Sequence, residues 1–173
     1  ACGGGVLRDL CIGAIPPAGL ADWRYLAAAL GAAVLTMGTH GLVERLKHPV
    51  VLFDSLGLGL FAVTGAQKAL LFGVNAEVAV LMGMVTAVGG GVARDVLLNR
   101  VPVILQREIY ASAALVGAAI ATTGDALGWA SPVLTWCAVA TCFALRWAAL
   151  RFAWNLPRFK RQARRDAVDS QSE

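Results

Sequence analysis

The chain carries one motif twice. CGGGVLRDLC begins at Cys2 and VGGGVARDVL at Val88, and the copies align without a gap. Gly3, Gly4 and Gly5 fall on Gly89, Gly90 and Gly91, Arg8 and Asp9 on Arg94 and Asp95, and Pro16 on Pro102, all at an offset of 86. After a one-residue slip near Tyr25 and Tyr110 the offset returns at Gly31 and Gly117, Thr36 and Thr122, and Gly38 and Gly124. Chance does not sustain such a register, so the fold is built on an internal repeat.

Composition says what solvent the repeat sits in. Hydrophobic residues make up 58% of the 173 and charged residues 15%, with a mean hydropathy of +0.66. Soluble domains carry about 25% charged residues, so a bilayer is the expected surrounding and membrane lipid the expected partner. The apolar residues form blocks close to the ~20 needed to cross a hydrocarbon core as a helix. They predict five spans: Trp23 to Leu42, Val50 to Phe72, Ala76 to Leu98, Ile109 to Ala126 and Pro132 to Trp154.

The net charge of +4 does not indicate nucleic acid, because the charges sit at the ends of spans. Cys2, Cys11, Cys137 and Cys142 lack metal-ligand spacing and read as small apolar packing residues. His40 and His48 have no carboxylate at metal-site or triad spacing. No cofactor, metal site or enzymatic activity is expected.

Three crossings separate one motif-bearing helix from the next, and an odd number turns the second copy upside down. That is the inverted-topology repeat of transport proteins. The second copy has a full helix and a half-helix before its glycines, which leads us to expect a helix and a half ahead of Ala1. The expected fold is an all-α membrane protein of inverted three-helix repeats plus a final helix, with helices broken at the glycines. Residues 1–42 are the remainder of the first repeat, 43–49 a loop, 50–128 the second repeat, 129–155 the final span and 156–173 a basic tail. Lys and Arg stay on the cytoplasmic side of short loops. Arg45, Lys47, Arg100, Arg107 and the basic cluster of the tail share one side, with Arg24 alone in the loops opposite. The C-terminus is therefore expected in the cytoplasm.

Glycine costs about 1 kcal/mol against alanine within a helix. Three in a row inside a span predict either a break lining a cavity or a place where backbones pack closely. Repetition in two inverted copies favours the first, with Gly3, Gly4, Gly5, Gly89, Gly90 and Gly91 as hinges at a midplane site. Arg8–Asp9 and Arg94–Asp95 read as ion pairs closing the motif helices. The fourth helix, VVLFDSLGLGLFAVTGAQKALLFG, contains Asp54 and Lys68 on one face. Fourteen residues at ~1.5 Å each hold them about 21 Å apart, too far to pair. Ionisable residues in a span mark a pathway by default, against the plainer reading that they snorkel to the nearer interface. Arg146 and Arg151, beside Trp147 and Trp154, read as interfacial anchors.

The paired GGGVLRD and GGGVARD motifs, the GAQKAL segment around Lys68 and the REIYASAALVGAA entry to a span resemble the bacterial branch of the trimeric intracellular cation channel family, also filed under a glycine-transporter domain name. The resemblance implies a seven-helix protomer in a homotrimer, located in the bacterial inner membrane. Each protomer would hold its own pore, bounded by the glycine-bearing helices and permeable to monovalent cations, chiefly potassium but also sodium. It places Lys68 at the pore, in gating. A lysine beside a cation path raises the barrier to the ion, so it suits a gate better than a ligand. The competing expectation is a secondary transporter of a small amino acid such as glycine, since inverted repeats and half-helix termini also suit alternating access.

Overall fold

The structure, a computed structural model, describes residues 2–38, 47–99, 101, 102, 104, 109–129 and 131–152. Seven helices lie within them and no strand. They are α1 (Cys2–Cys11), α2 (Ala18–Ala21), α3 (Trp23–Gly38), α4 (Lys47–Leu71), α5 (Ala76–Leu97), α6 (Ile109–Ala126) and α7 (Pro132–Arg151). Three of them, α5, α6 and α7, are long and apolar enough to cross a membrane.

Their ends follow from local chemistry. Asn75 caps α5, its side chain accepting from Val78 N–H at 3.2 Å. Ser131 caps α7 in the same way, through Leu134 N–H at 3.2 Å, and Pro132 supplies a first-turn residue that has no N–H to satisfy. The motif helices end alike. Gly13 (φ 72) follows α1 and Asn99 (φ 52) follows α5, and glycine and asparagine are the residues that tolerate this left-handed turn. The repeat is thus written in backbone geometry. Its offset of 86 relates Gly13 to Asn99 and the ends of the motif helices at Cys11 and Leu97.

The centre of the bundle is α5, which packs against α1, α4 and α6; α7 closes the far side against α4 and α6. The buried core is dominated by small residues, among them Ala62, Ala66, Ala79, Ala114, Ala118 and Ala138, all fully buried. Leu71, Leu97, Phe53 and Val133 point outward. An interior of alanine and a surface of large apolar side chains suit helices that associate in lipid, where close backbone approach drives packing. From Trp23 to Leu35, α3 is exposed almost throughout and touches chiefly α2.

One expectation is corrected. Helical structure continues through both glycine triplets, so neither α1 nor α5 is broken there. The triplets are instead where the two copies cross. A Cβ on Gly4 would collide with the carbonyl oxygen of Thr86, and one on Gly89 would stand 3.1 Å from Gly4 Cα. Gly3 faces Gly90 and Ala93, Gly4 faces Val85 and Thr86, and Gly89 faces Gly4 and Leu7, so the two triplets meet backbone to backbone. The physical reason is that glycine's cost in a helix is offset when its missing side chain lets two backbones touch.

A charged cavity between the motif helices

Arg8 and Asp9 sit in the last turn of α1, three and four residues beyond Gly5, and so share a face with it. On α4, Phe61, Thr64 and Lys68 form a second face at helical spacing. Tyr25 comes from α3 and Thr86 from the middle of α5. These residues line a cavity of about 690 Å³ beside the first copy of the motif, chiefly between α1, α3 and α4.

Asp9 is the centre of the charge in it. Its side chain is 1% exposed. Arg8 donates from Nε and Nη2 to Oδ1 at 2.9 and 2.8 Å. The Ala18 backbone N–H donates to Oδ2 at 2.8 Å, which ties the start of α2 to the end of α1. Lys68 Nζ reaches across from α4 and stands 2.8 Å from Oδ1 and 2.9 Å from Oδ2. It also lies 5.9 Å from the centroid of the Phe72 ring, just past the end of α4. Two cations on one carboxylate leave the cluster one net positive charge. Lys68 is the member that shows it to the cavity, at 26% side-chain exposure against 9% for Arg8.

The second copy builds a different site from the same letters. Arg94 donates from Nε to Asp95 Oδ1 at 2.9 Å, with Asp95 buried and the Arg94 side chain 55% exposed. A pocket of about 20 Å³, room for roughly one water, lies beside them, lined also by Gly91, Asp54 and Tyr110. Arg146 of α7 places its guanidinium 4.7 Å from the centroid of the Tyr110 ring.

The structure therefore forms both Arg-Asp pairs and brings Lys68, but not Asp54, to the larger cavity. Asp54 is exposed at the opposite end of α4, beside the second motif. Gly3, Gly4 and Gly89 stand at the crossing; Gly5 lines the larger cavity and Gly91 the smaller. Arg146 is not an interfacial anchor, because it is buried at 3% exposure within the bundle, whereas Arg151 is exposed. Its buried neighbours Ala138, Val139, Cys142 and Ala149 recur at helical spacing, a stripe that the periodicity of α7 carries in its sequence. The sequence offers less for Thr86. This buried residue donates from Oγ1 back to Met82 O at 2.6 Å and lies where α1, α4 and α5 meet. A Cβ on Gly65 of α4 would stand 2.6 Å from that hydroxyl.

Comparison with known proteins agrees with this geometry. The family model for glycine transporters matches residues 1–41 and 51–126. A UPF0126 membrane protein of Vibrio cholerae is 35% identical over 160 residues, covering 92% of this chain and 67% of that protein. One of Deinococcus radiodurans is 42% identical over 120 residues, 68% of this chain and 56% of that protein. The chain thus spans between about half and two thirds of these relatives' length. Among solved structures, a chain described in terms of conductance through TRIC cation channels superposes with a TM-score of 0.87 at 36% identity, covering 92% of this chain and 79% of that one. The trimeric intracellular cation channel orthologue from Rhodobacter sphaeroides superposes at 0.80 with 38% identity, over 88% and 79%. These relatives are described as membrane proteins and channels, none as an enzyme, in line with the expectation from the sequence. The chain belongs to the glycine-transporter-domain family of membrane proteins, the bacterial branch of the trimeric intracellular cation channel family.

Proposed function

We propose that the protein is a channel for monovalent cations, chiefly potassium, working as a homotrimer with a pore in each protomer. It acts in the bacterial inner membrane with its C-terminus in the cytoplasm, where the basic loops would hold it. The observation that carries this reading is the cavity of about 690 Å³ beside the first motif helix, lined chiefly by α1, α3 and α4, with Lys68 partly exposed on its wall. Charged and hydroxyl-bearing side chains at that depth suit a hydrated path better than a packed core.

Lys68 serves as the gate or field-setting group of the path. Its ammonium repels the permeant ion, so it controls passage and does not bind. The Arg-Asp pairs hold the ends of the motif helices, and the glycine triplets hold those helices at contact distance. Asp54, at the far end of α4, lies beside the second copy of the motif.

Planar-bilayer recording of the purified protein in a potassium gradient tests the reading. Unitary potassium currents, larger in Lys68→Gln than in the wild type, are the expected result. Silent bilayers together with saturable glycine uptake into vesicles would replace the channel with a transporter.

A further inference from the structure

We infer that the small pocket beside the second motif is a seat for one monovalent cation, held by the carboxylate of Asp54 and the hydroxyl oxygen of Tyr110. Its effect on conductance rests on the channel reading above; the binding itself does not.

The fold leaves two polar groups over at this pocket. Among the described residues, neither the Asp54 carboxylate nor the Tyr110 hydroxyl has a hydrogen bond or an ion pair. Tyr110 is 6% exposed, and a buried hydroxyl is costly unless something polar meets it. The hydroxyl is aimed at the pocket: a methyl added at Gly91, on the pocket wall, would stand 3.9 Å from Oη. Gly91 thus keeps open the space in front of the phenol oxygen. That space of about 20 Å³ admits one sphere the size of a water molecule, and a bare potassium ion is close to that size.

Charge selects the occupant. Arg94 is neutralised by Asp95 at 2.9 Å, and Arg146 lies against the Tyr110 ring, 4.7 Å from its centroid, which leaves the hydroxyl edge to the pocket. Asp54 is then the carboxylate of the pocket that no arginine holds. Carboxylate and hydroxyl oxygens are ligands of hard cations, and a single carboxylate suits a single positive charge, whereas a divalent ion takes several. Val88, Val92 and Ile104 complete the wall and keep the dielectric around the ion low, which strengthens its attraction to Asp54. The seat lies toward the ends of α4, α5 and α6 that adjoin Arg45, Lys47, Arg100 and Arg107 in sequence. Those charges repel an approaching cation, and a carboxylate among them offsets the repulsion.

Thermal unfolding of the purified protein in detergent, titrated with potassium chloride against N-methylglucamine chloride at constant ionic strength, measures the binding. Potassium should raise the unfolding temperature of the wild type in a saturable way. Asp54→Asn should weaken the apparent potassium affinity at least about tenfold. Tyr110→Phe keeps the ring beside Arg146 and should weaken it about threefold or more. Gly91→Ala puts a methyl in the pocket and leaves every charge in place, so it should abolish the potassium shift with little change of stability in N-methylglucamine. A structural role alone predicts altered stability with the potassium shift retained; that result in Asp54→Asn and Gly91→Ala would overturn the inference, as would a wild type that unfolds alike in both salts. Diffraction from crystals soaked in thallous ion gives the location. An anomalous peak between Asp54 and Tyr110 supports the seat, and a water alone at that place rules it out. In bilayers, Asp54→Asn should lose potassium current, most of all at low potassium. Silent bilayers with the wild-type potassium shift intact would support the seat and remove the channel reading.

Discussion

The two copies of the GGG-x-x-RD motif hold the same residues and build unlike sites. In the first copy the carboxylate is buried at 1% exposure and shared by Arg8 and Lys68, beside a cavity of about 690 Å³. In the second the arginine is 55% exposed, the pocket holds about 20 Å³, and the nearby residue from α4 is the acidic Asp54. A single helix makes the difference. α4 presents Lys68 to one copy from its C-terminal end and Asp54 to the other from its N-terminal half, and Arg146 of α7 lies behind Tyr110 near the second copy alone. An inverted repeat supplies two equivalent frames. The helices packed against them assign them opposite electrostatic characters, one cationic and one carrying an added carboxylate.

Removing the carboxylates should separate the copies most. Asp9→Ala strands two cations at a buried position and should cost about 3–5 kcal/mol. Asp95→Ala leaves a guanidinium that is half exposed and should cost no more than about 1–2 kcal/mol. Thermal unfolding in detergent checks both, and equal losses would mean that the motif and not its surroundings sets the energetics. Next comes the crossing. Gly4→Val drives a side chain into the Thr86 carbonyl and should destabilise by about 1–3 kcal/mol or more, read by the same unfolding measurement and by loss of monodisperse elution. A smaller effect is expected at the second site. Tyr110→Leu removes the ring under Arg146 and should cost about 1–2 kcal/mol, whereas Tyr110→Phe, which keeps a ring, should cost less than half of that. Smallest are Gly5→Ala and Gly91→Ala, whose added methyls would meet only Arg8 Nη2 at 4.0 Å and Tyr110 Oη at 3.9 Å. Both should change stability by less than about 1 kcal/mol in either direction, since alanine is the better helix former.

Much of the scaffold is legible in the order of residues alone. The span expected at Ile109 to Ala126 is the observed α6, and the one expected from Ala76 to Leu98 differs from α5 by one residue at its end. α3 and α7 begin at the expected residues, Trp23 and Pro132; the expected ends of both spans lie outside the described residues. Helix α4 is already helical at Lys47, three residues before the expected start at Val50. The site is legible in parts. Lys68 and Asp9 each stand out as charges within apolar segments, but 59 residues separate them, and nothing in either segment says that the other is its partner. The glycine triplets read as breaks in sequence because their cost is local and their compensation is not.

The sequence by itself determined the lipid solvent, the repeat and its 86-residue register, because composition and hydrophobic block length are properties of a chain read in order. Only the tertiary structure decided that the triplets are crossings in unbroken helices, that Lys68 seats on Asp9, and that Arg146 is buried against Tyr110. Each of these depends on which helix faces which. In a bundle lined by alanine and glycine many faces are permissive, so the sequence leaves that choice to be settled by the packing of the whole.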